Sequence, residues 1–305
     1  MLKTAGDPVV QTTIPVGNTH GDMIDETVRQ IEDMQTQSAS IVAVKAARAL
    51  RELDEREYQT VHDFYRAVER NSNALLRANR SHAPLYTTQK RIVNDVTESD
   101  AESVEEAKEI LLDTIDSVVE KVQSSKEGAG SKAASLIEDG DTLLTHENSS
   151  TVMQTLEHVL DDGKSIDLYV TESRPRFLGR RTARQLAAKE NIDVTLIVDS
   201  AAGHYLAECD RVLLGMNCLI DNTVYNRIGT YPIAATAKDS EVPVTVVGAS
   251  AKFIGSGFTF ENNYRVSSEV LLEPAEGFAV ANPGYDATPT RLLENVVTED
   301  AVIQF

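Results

Sequence analysis

Apolar positions change their spacing near the middle of the chain. From Asp25 to about Lys132 they recur three and four residues apart, the period of helices with one buried face. "MIDETVRQIEDM" brings Met23, Val28, Ile31 and Met34 on or near one side, and "ASIVAVKAARALREL" is Ala-rich with the same spacing. "YQTVHDFYRAVERNSNALLRA" repeats the pattern after a break, and "NRSHAP" marks the next turn. "DAESVEEAKEILLDTIDSVVEKVQ" opens on acids and closes on Lys121, charges that oppose the helix dipole. An all-helical N-terminal domain over residues 21–130 follows, behind a loose arm over 1–20. "SSKEGAGSKAAS" is Ser- and Gly-rich and reads either as a junction or as the end of a long helix.

Beyond it the apolar runs shorten and fill with β-branched residues. "DTLLTH", "SIDLYVTES", "DVTLIVDS", "RVLLGMN" and "VPVTVVGAS" read as strands. "TVMQTLEHVLDD", "GRRTARQLAAKE", "AAGHYLAE" and "GTYPIAATAKDS" read as the helices between them. Strands alternating with helices form a parallel sheet through crossover connections. The predicted fold class is therefore α/β: a helical domain followed by a Rossmann-like parallel-sheet domain over 131–305. No G-x-G-x-x-G follows the first strand, so a dinucleotide cofactor has no support.

Composition narrows the function classes. The chain has 305 residues, and 41% hydrophobic with 25% charged content is globular. No apolar run approaches the roughly 20 residues that span a bilayer, and the first residues lack a leader's apolar core. A cytoplasmic protein without membrane contact is expected. Cys209 and Cys218 stand nine positions apart with no His pair nearby, so neither a metal site nor a disulfide framework is expected. The net charge of −19 repels phosphate backbones, which excludes general nucleic-acid binding. An acidic, Lys-poor surface suits a salt-rich cytosol, so a halophilic, archaeal origin is a working hypothesis.

Ligands of open α/β sheets sit at the carboxyl ends of the strands. Those ends carry His146 to Ser150, Thr171 to Pro175, Asp199-Ser200, Gly215 to Asn217 and Gly248 to Lys252. The mix of hydroxyls, amides, Arg and Lys suits a phosphorylated polyol. Ser149, Ser150 and Thr151 start a helix, where free N–H groups hold phosphate or where a serine simply caps. Lys252 is either a phosphate partner or an exposed lysine. His146 is either a general base or a satisfied buried histidine. Asp199 reads as a helix cap.

Several stretches together resemble one superfamily: "TESRPRFLGRRTARQLA", "VTLIVDSAAGHYLAECDRVLLGMNCLIDN", "VYNRIGTYPIAATAKDSEVPVTVVGASAKF" and "NPGYDATPTRLLENVVTEDAVI". It contains archaeal ribose-1,5-bisphosphate isomerase, methylthioribose-1-phosphate isomerase and the alpha, beta and delta regulatory subunits of translation initiation factor 2B. The resemblance covers roughly residues 20 to 303. It implies homodimers or larger homo-oligomers formed through the C-terminal domain, a sugar-phosphate or nucleotide ligand, and, on the regulatory branch, contact with translation initiation factor 2 subunits. No cofactor is implied.

The resemblance also implies a catalytic Cys in a "THCNS"-like turn and an Asp in a "GAD"-like turn. Here "THENS" places Glu147 in the first position and "GMN" places Asn217 in the second. Gln37 stands where a phosphate-binding Arg is implied. Implied ligand positions are kept at Arg80, Ser149, Ser150, Asn226, Arg227 and Lys252. Asparagine neither takes nor gives a proton. A glutamate is longer than a cysteine and repels a bisphosphate unless a cation intervenes. The expectation is a non-catalytic protein resembling the initiation factor 2B regulatory subunits. The alternative is a sugar-phosphate aldose–ketose isomerase whose carboxylate has moved across the site, since Glu147 with Asn217 carries the same single charge as a thiol with an aspartate.

Overall fold

The computed structural model describes residues 23–33, 39–79, 82–255, 258 and 260–305. The expected arm over 1–20, Gln37 and Arg80 lie outside the described residues. The helical pattern folds into α1 (Met23–Asp33), α2 (Ala39–Ala49), α3 (Val61–Ala78), α4 (Ala83–Thr97) and α5 (Val104–Ala134). A short 3-10 helix, Leu50–Glu55, joins α2 to α3. Thr60 and Ser103 cap α3 and α5 by accepting hydrogen bonds from Asp63 N–H and Glu106 N–H. The apolar faces close over one core around Phe64, Leu75, Leu85, Ile92, Leu111 and Ile115.

The Ser/Gly-rich segment proves to be helix. α5 continues through it to Ala134, because Gly130, Ala129 and Ala133 are buried against the next layer and small residues permit that approach. Gly130 lies so close to α6 (Ser150–Asp161) that a Cβ there would meet Gln154 at 2.9 Å. One helix thus supplies Val118 and Val122 to the helical core, and Ala129 and Ala133 to the core beneath the sheet.

The second half holds β1 (Thr142–His146), β2 (Ile166–Thr171), α7 (Leu178–Leu186), β3 (Ile192–Ile197), the single turn α8 (Ala202–Tyr205) and β4 (Arg211–Gly215). Then come β5 (Cys218–Ile220), β6 (Thr223–Arg227), α9 (Thr230–Asp239), β7 (Val244–Val247), β8 (Tyr285–Pro289), β9 (Asn295–Val297) and β10 (Val302–Gln304). Seven strands form one sheet in the order β10-β9-β7-β4-β1-β2-β3. All its pairs are parallel except β10 on β9. The central strands β1, β4 and β7 are buried along almost their whole length, which matches their unbroken apolar runs. The α/β architecture read from the sequence is the architecture observed.

A smaller antiparallel sheet, β5-β6-β8, stands beyond the strand ends. Sequence patterning does not reveal it, because its strands are short and β8 is drawn from far along the chain. It carries Asn226 and Arg227 back over the mouth of the parallel sheet. No helix among the described residues is long and apolar enough to cross a membrane.

Candidate functional site

The site forms where the turns after β1, β2, β4 and β7 meet the small sheet. The turn after β1 is held in an unusual shape. Glu147 has φ +73°, a left-handed conformation that disfavours any residue with a Cβ. Its N–H donates to Ser173 Oγ at 2.7 Å, and its carbonyl accepts from Thr182 Oγ1 at 2.7 Å. Ser173 is itself left-handed, at φ +62°. The Asp199 carboxylate fixes that second turn by accepting from Ser173 N–H (2.7 Å) and Arg174 N–H (2.6 Å). Asp199 is therefore no helix cap, as its position suggested. Its side chain reaches across to the neighbouring strand end.

This scaffold aims the Glu147 carboxylate at Arg227. Arg227 Nε donates to Glu147 Oε1 at 2.8 Å, and the two side chains are 17% and 11% exposed. Burial works against the Arg227 charge, but Glu147 offsets it and the guanidinium stays fully protonated. Arg227 Nη1 is buried and has no hydrogen-bond partner among the described residues. That pattern leaves a strong donor ready for an anion.

Around the pair a cleft is lined by Glu147, Arg174, Arg176, Arg227, Arg265 and Asn282, with His146 also against it. Four arginines converge there in a chain of net charge −19. Burial pulls the Arg176 and Arg265 guanidinium groups below the usual arginine range, and Glu269, 3.6 Å from Arg176 and 3.8 Å from Arg265, opposes the fall. Arg265, Glu269 and Asn282 come from a segment with little periodic pattern, so periodicity could not find them. Arg176 stands one residue beyond the strand-end stretch singled out in the sequence.

His146 is a satisfied buried histidine. Nδ1 shares a hydrogen bond with Thr171 Oγ1 (2.6 Å), and Nε2 donates to the Ile228 carbonyl (2.9 Å). Both ring nitrogens are occupied, so it has no position from which to serve as a base. Its ring lies against Gly229, where φ is +109° and a Cβ would come within 2.7 Å of the imidazole. Ser149 caps α6, accepting from Val152 N–H at 3.4 Å, and Ser150 begins the helix, half-buried beside it. Asn226 is buried and donates to Thr230 Oγ1 (3.0 Å), within its own turn rather than into the cleft. Asp286 holds the next residues, accepting from Gly229 N–H (2.6 Å) and Tyr231 N–H (3.0 Å).

Lys252 is not the exposed lysine its surroundings allowed. It is 7% exposed and donates from Nζ to the Met216 carbonyl at 2.6 Å. Burial lowers it to about 8, against the pull of Glu147 and Cys218. Asn217 follows Met216, and its backbone N–H donates to Tyr225 O at 2.9 Å. Cys218 is buried, and burial pushes its thiol up to about 12. His82, the cap of α4, closes the site from the helical side. Burial, with Lys252 and Arg227 nearby, pulls it down to about 3, so the imidazole is neutral. Glu147, Arg227 and Lys252 are brought together. Ser149 and Ser150 share the first turn with Glu147, while the Asn226 side chain faces away. Arg80 falls outside the described residues.

A family model described as the initiation factor 2 subunit family matches residues 35–304. The chain belongs to that family. Within it, ribose 1,5-bisphosphate isomerase of Methanocaldococcus jannaschii is 30% identical over 289 residues, 92% of each chain. The protein of the same name from Haloterrigena turkmenica is 32% identical over 90% of this chain and 88% of its own. The tetrameric eIF2B-beta2-delta2 complex from C. thermophilum contains a chain of the same fold, with a TM-score of 0.80 at 19% identity, covering 93% of this chain and 92% of that one. The expectation of a non-catalytic regulatory protein is overturned by these family members, since the relatives near 30% identity over about nine-tenths of the chain are sugar-phosphate isomerases. The objection from charge repulsion falls with it, because the cation needed between Glu147 and an anionic ligand is present as Arg227.

Proposed function

We propose that this chain is a sugar-phosphate aldose–ketose isomerase acting on a phosphorylated ribose, with Glu147 as the carboxylate that moves hydrogen. The observation that carries the reading is the Glu147–Arg227 pair, 2.8 Å apart at the floor of an arginine-lined cleft. Guanidinium groups bind phosphate by paired donors, and Arg227 Nη1 has no hydrogen-bond partner among the described residues. With phosphate on the arginines, the sugar carbons fall beside the carboxylate. A carboxylate is a competent base for a C–H next to a carbonyl-like carbon, which C1 becomes as its bond to the ring oxygen breaks. Its single bond to Arg227, through Oε1, leaves Oε2 without a hydrogen-bond partner among the described residues. The names of the relatives supply the substrate tried first, ribose 1,5-bisphosphate.

Assembly into homodimers or larger rings belongs to the same reading, as does a cytoplasmic setting. Light scattering on the purified chain tests the first, and a monomer at micromolar concentration counts against it. The activity test is direct. The unaltered protein is mixed with ribose 1,5-bisphosphate and the ketose product is followed. Conversion is expected, with a loss of about 100-fold or more in Glu147→Gln. If only the double variant Glu147→Cys with Asn217→Asp converts the sugar, the reading fails.

A further inference from the structure

Isomerisation of an aldose 1-phosphate needs two kinds of proton transfer, and Glu147 accounts for one. The sugar is closed in a ring, so the bond from C1 to the ring oxygen must break with a proton delivered to that oxygen. The hydrogen on C2 must leave as the C1–C2 double bond forms. C1 then takes a proton, while the proton on the C2 hydroxyl departs as the carbonyl appears. One hydrogen moves from C2 to C1 and one from the C2 oxygen to the ring oxygen, so none is gained or lost. A second group has to handle the oxygen protons. Asn217 has no proton to exchange, His146 is fully engaged, and the Cys218 thiol lies at 0% exposure in an apolar cluster.

Resting on the isomerase reading above, we propose that Lys252 is that second proton-transfer residue, delivering a proton to the ring oxygen and removing one from the C2 hydroxyl. The surroundings of Lys252 support that role. Lys252 is buried, and its Nζ donates to Met216 O, the carbonyl beside Asn217, at 2.6 Å. That is its one hydrogen bond among the described residues, so two ammonium hydrogens are left without acceptors in a buried place, a cost that a bound substrate oxygen removes. Glu147 after β1 and Cys218 on β5 act on its charge, and its charge acts in turn on His82 at the head of α4. The turn is also held from outside. Ala251 O accepts from Thr87 Oγ1 of α4 (3.0 Å), and Ser250 donates through N–H and Oγ to Glu299 (2.8 and 2.7 Å). Burial brings the ammonium to about 8, so near neutral pH both its acid and its base forms are populated.

Steady-state kinetics of Lys252→Met and Lys252→Arg on ribose 1,5-bisphosphate test this. Both variants are expected to lose about 100-fold in kcat with KM changed less than about fivefold. The limb of the kcat–pH profile near 8 should vanish in both. A lysine that only binds phosphate gives the opposite pattern: KM rises, kcat persists, and Arg restores wild-type behaviour. That outcome overturns the proposal and leaves the isomerase reading standing. If the unaltered protein converts no sugar, both fall together.

Discussion

In the proposed reaction Glu147 is the residue on which the cleft depends, and its position is set at the scale of one residue. The turn that presents it uses left-handed backbone at two strand ends, Glu147 and Ser173, and fixes both by hydrogen bonds accepted by Ser173 Oγ and the Asp199 carboxylate and donated by Thr182 Oγ1. Truncation to Glu147→Ala leaves the buried Arg227 charge uncompensated, and urea denaturation should show a loss of about 3–5 kcal/mol. Glu147→Gln keeps the contact and should cost far less stability while ending turnover. His82 gives a pH prediction. Its folded value, about 3, lies below the ordinary 6.5. The unfolded chain therefore takes up the proton first as pH falls, so stability is intact above about 6.5 and is lost progressively toward 3. Between pH 7 and 4.5 the urea midpoint should fall by an amount equivalent to on the order of 2–3 kcal/mol from this residue. His82→Asn, which keeps a capping acceptor, should flatten that limb.

At the scale of elements, α7 is seated by a single glycine. A Cβ on Gly179 would lie 1.8 Å from the Thr171 carbonyl oxygen at the end of β2. Backbone cannot yield there as a flexible side chain can. Gly179→Ala is expected to cost about 3 kcal/mol or more and to displace the turn that holds Glu147, seen as a lower melting temperature together with lost turnover. By contrast Ser149→Ala removes only a cap and should cost about 1 kcal/mol. These elements were largely legible beforehand. The strands β1, β2, β4 and β7 and the helices α3, α5, α6 and α9 declare themselves because their periods match how they are buried, and β3 through its apolar, β-branched run alone. The Ser/Gly stretch inside α5 did not, since small polar residues mark a loop in isolation and a close helix contact once a partner is packed on them. The β5-β6-β8 sheet was invisible because β6 and β8 pair across more than fifty positions, and no local pattern records that.

For the whole molecule, charge is distributed against its sum. The chain is strongly acidic overall, yet four arginines and Lys252 gather in and around one cleft. Self-repulsion of the acidic surface should be relieved by added salt, so the melting temperature should be higher in molar than in low-millimolar salt, as scanning calorimetry can show. Equal melting in both overturns the halophilic reading. The order of residues by itself determined the helical half and the parallel sheet, because periodicity is a local property; the reading of Glu147 and Asn217 as standing in for a thiol and a carboxylate came from the family resemblance. Residue order could not determine that Glu147 meets Arg227, that Lys252 is buried, or that Arg176 and Arg265 turn toward the same cleft. Those facts depend on which strand ends the crossovers bring side by side. Burial and charge proximity then decide what each side chain can do, and both are properties of the folded chain alone.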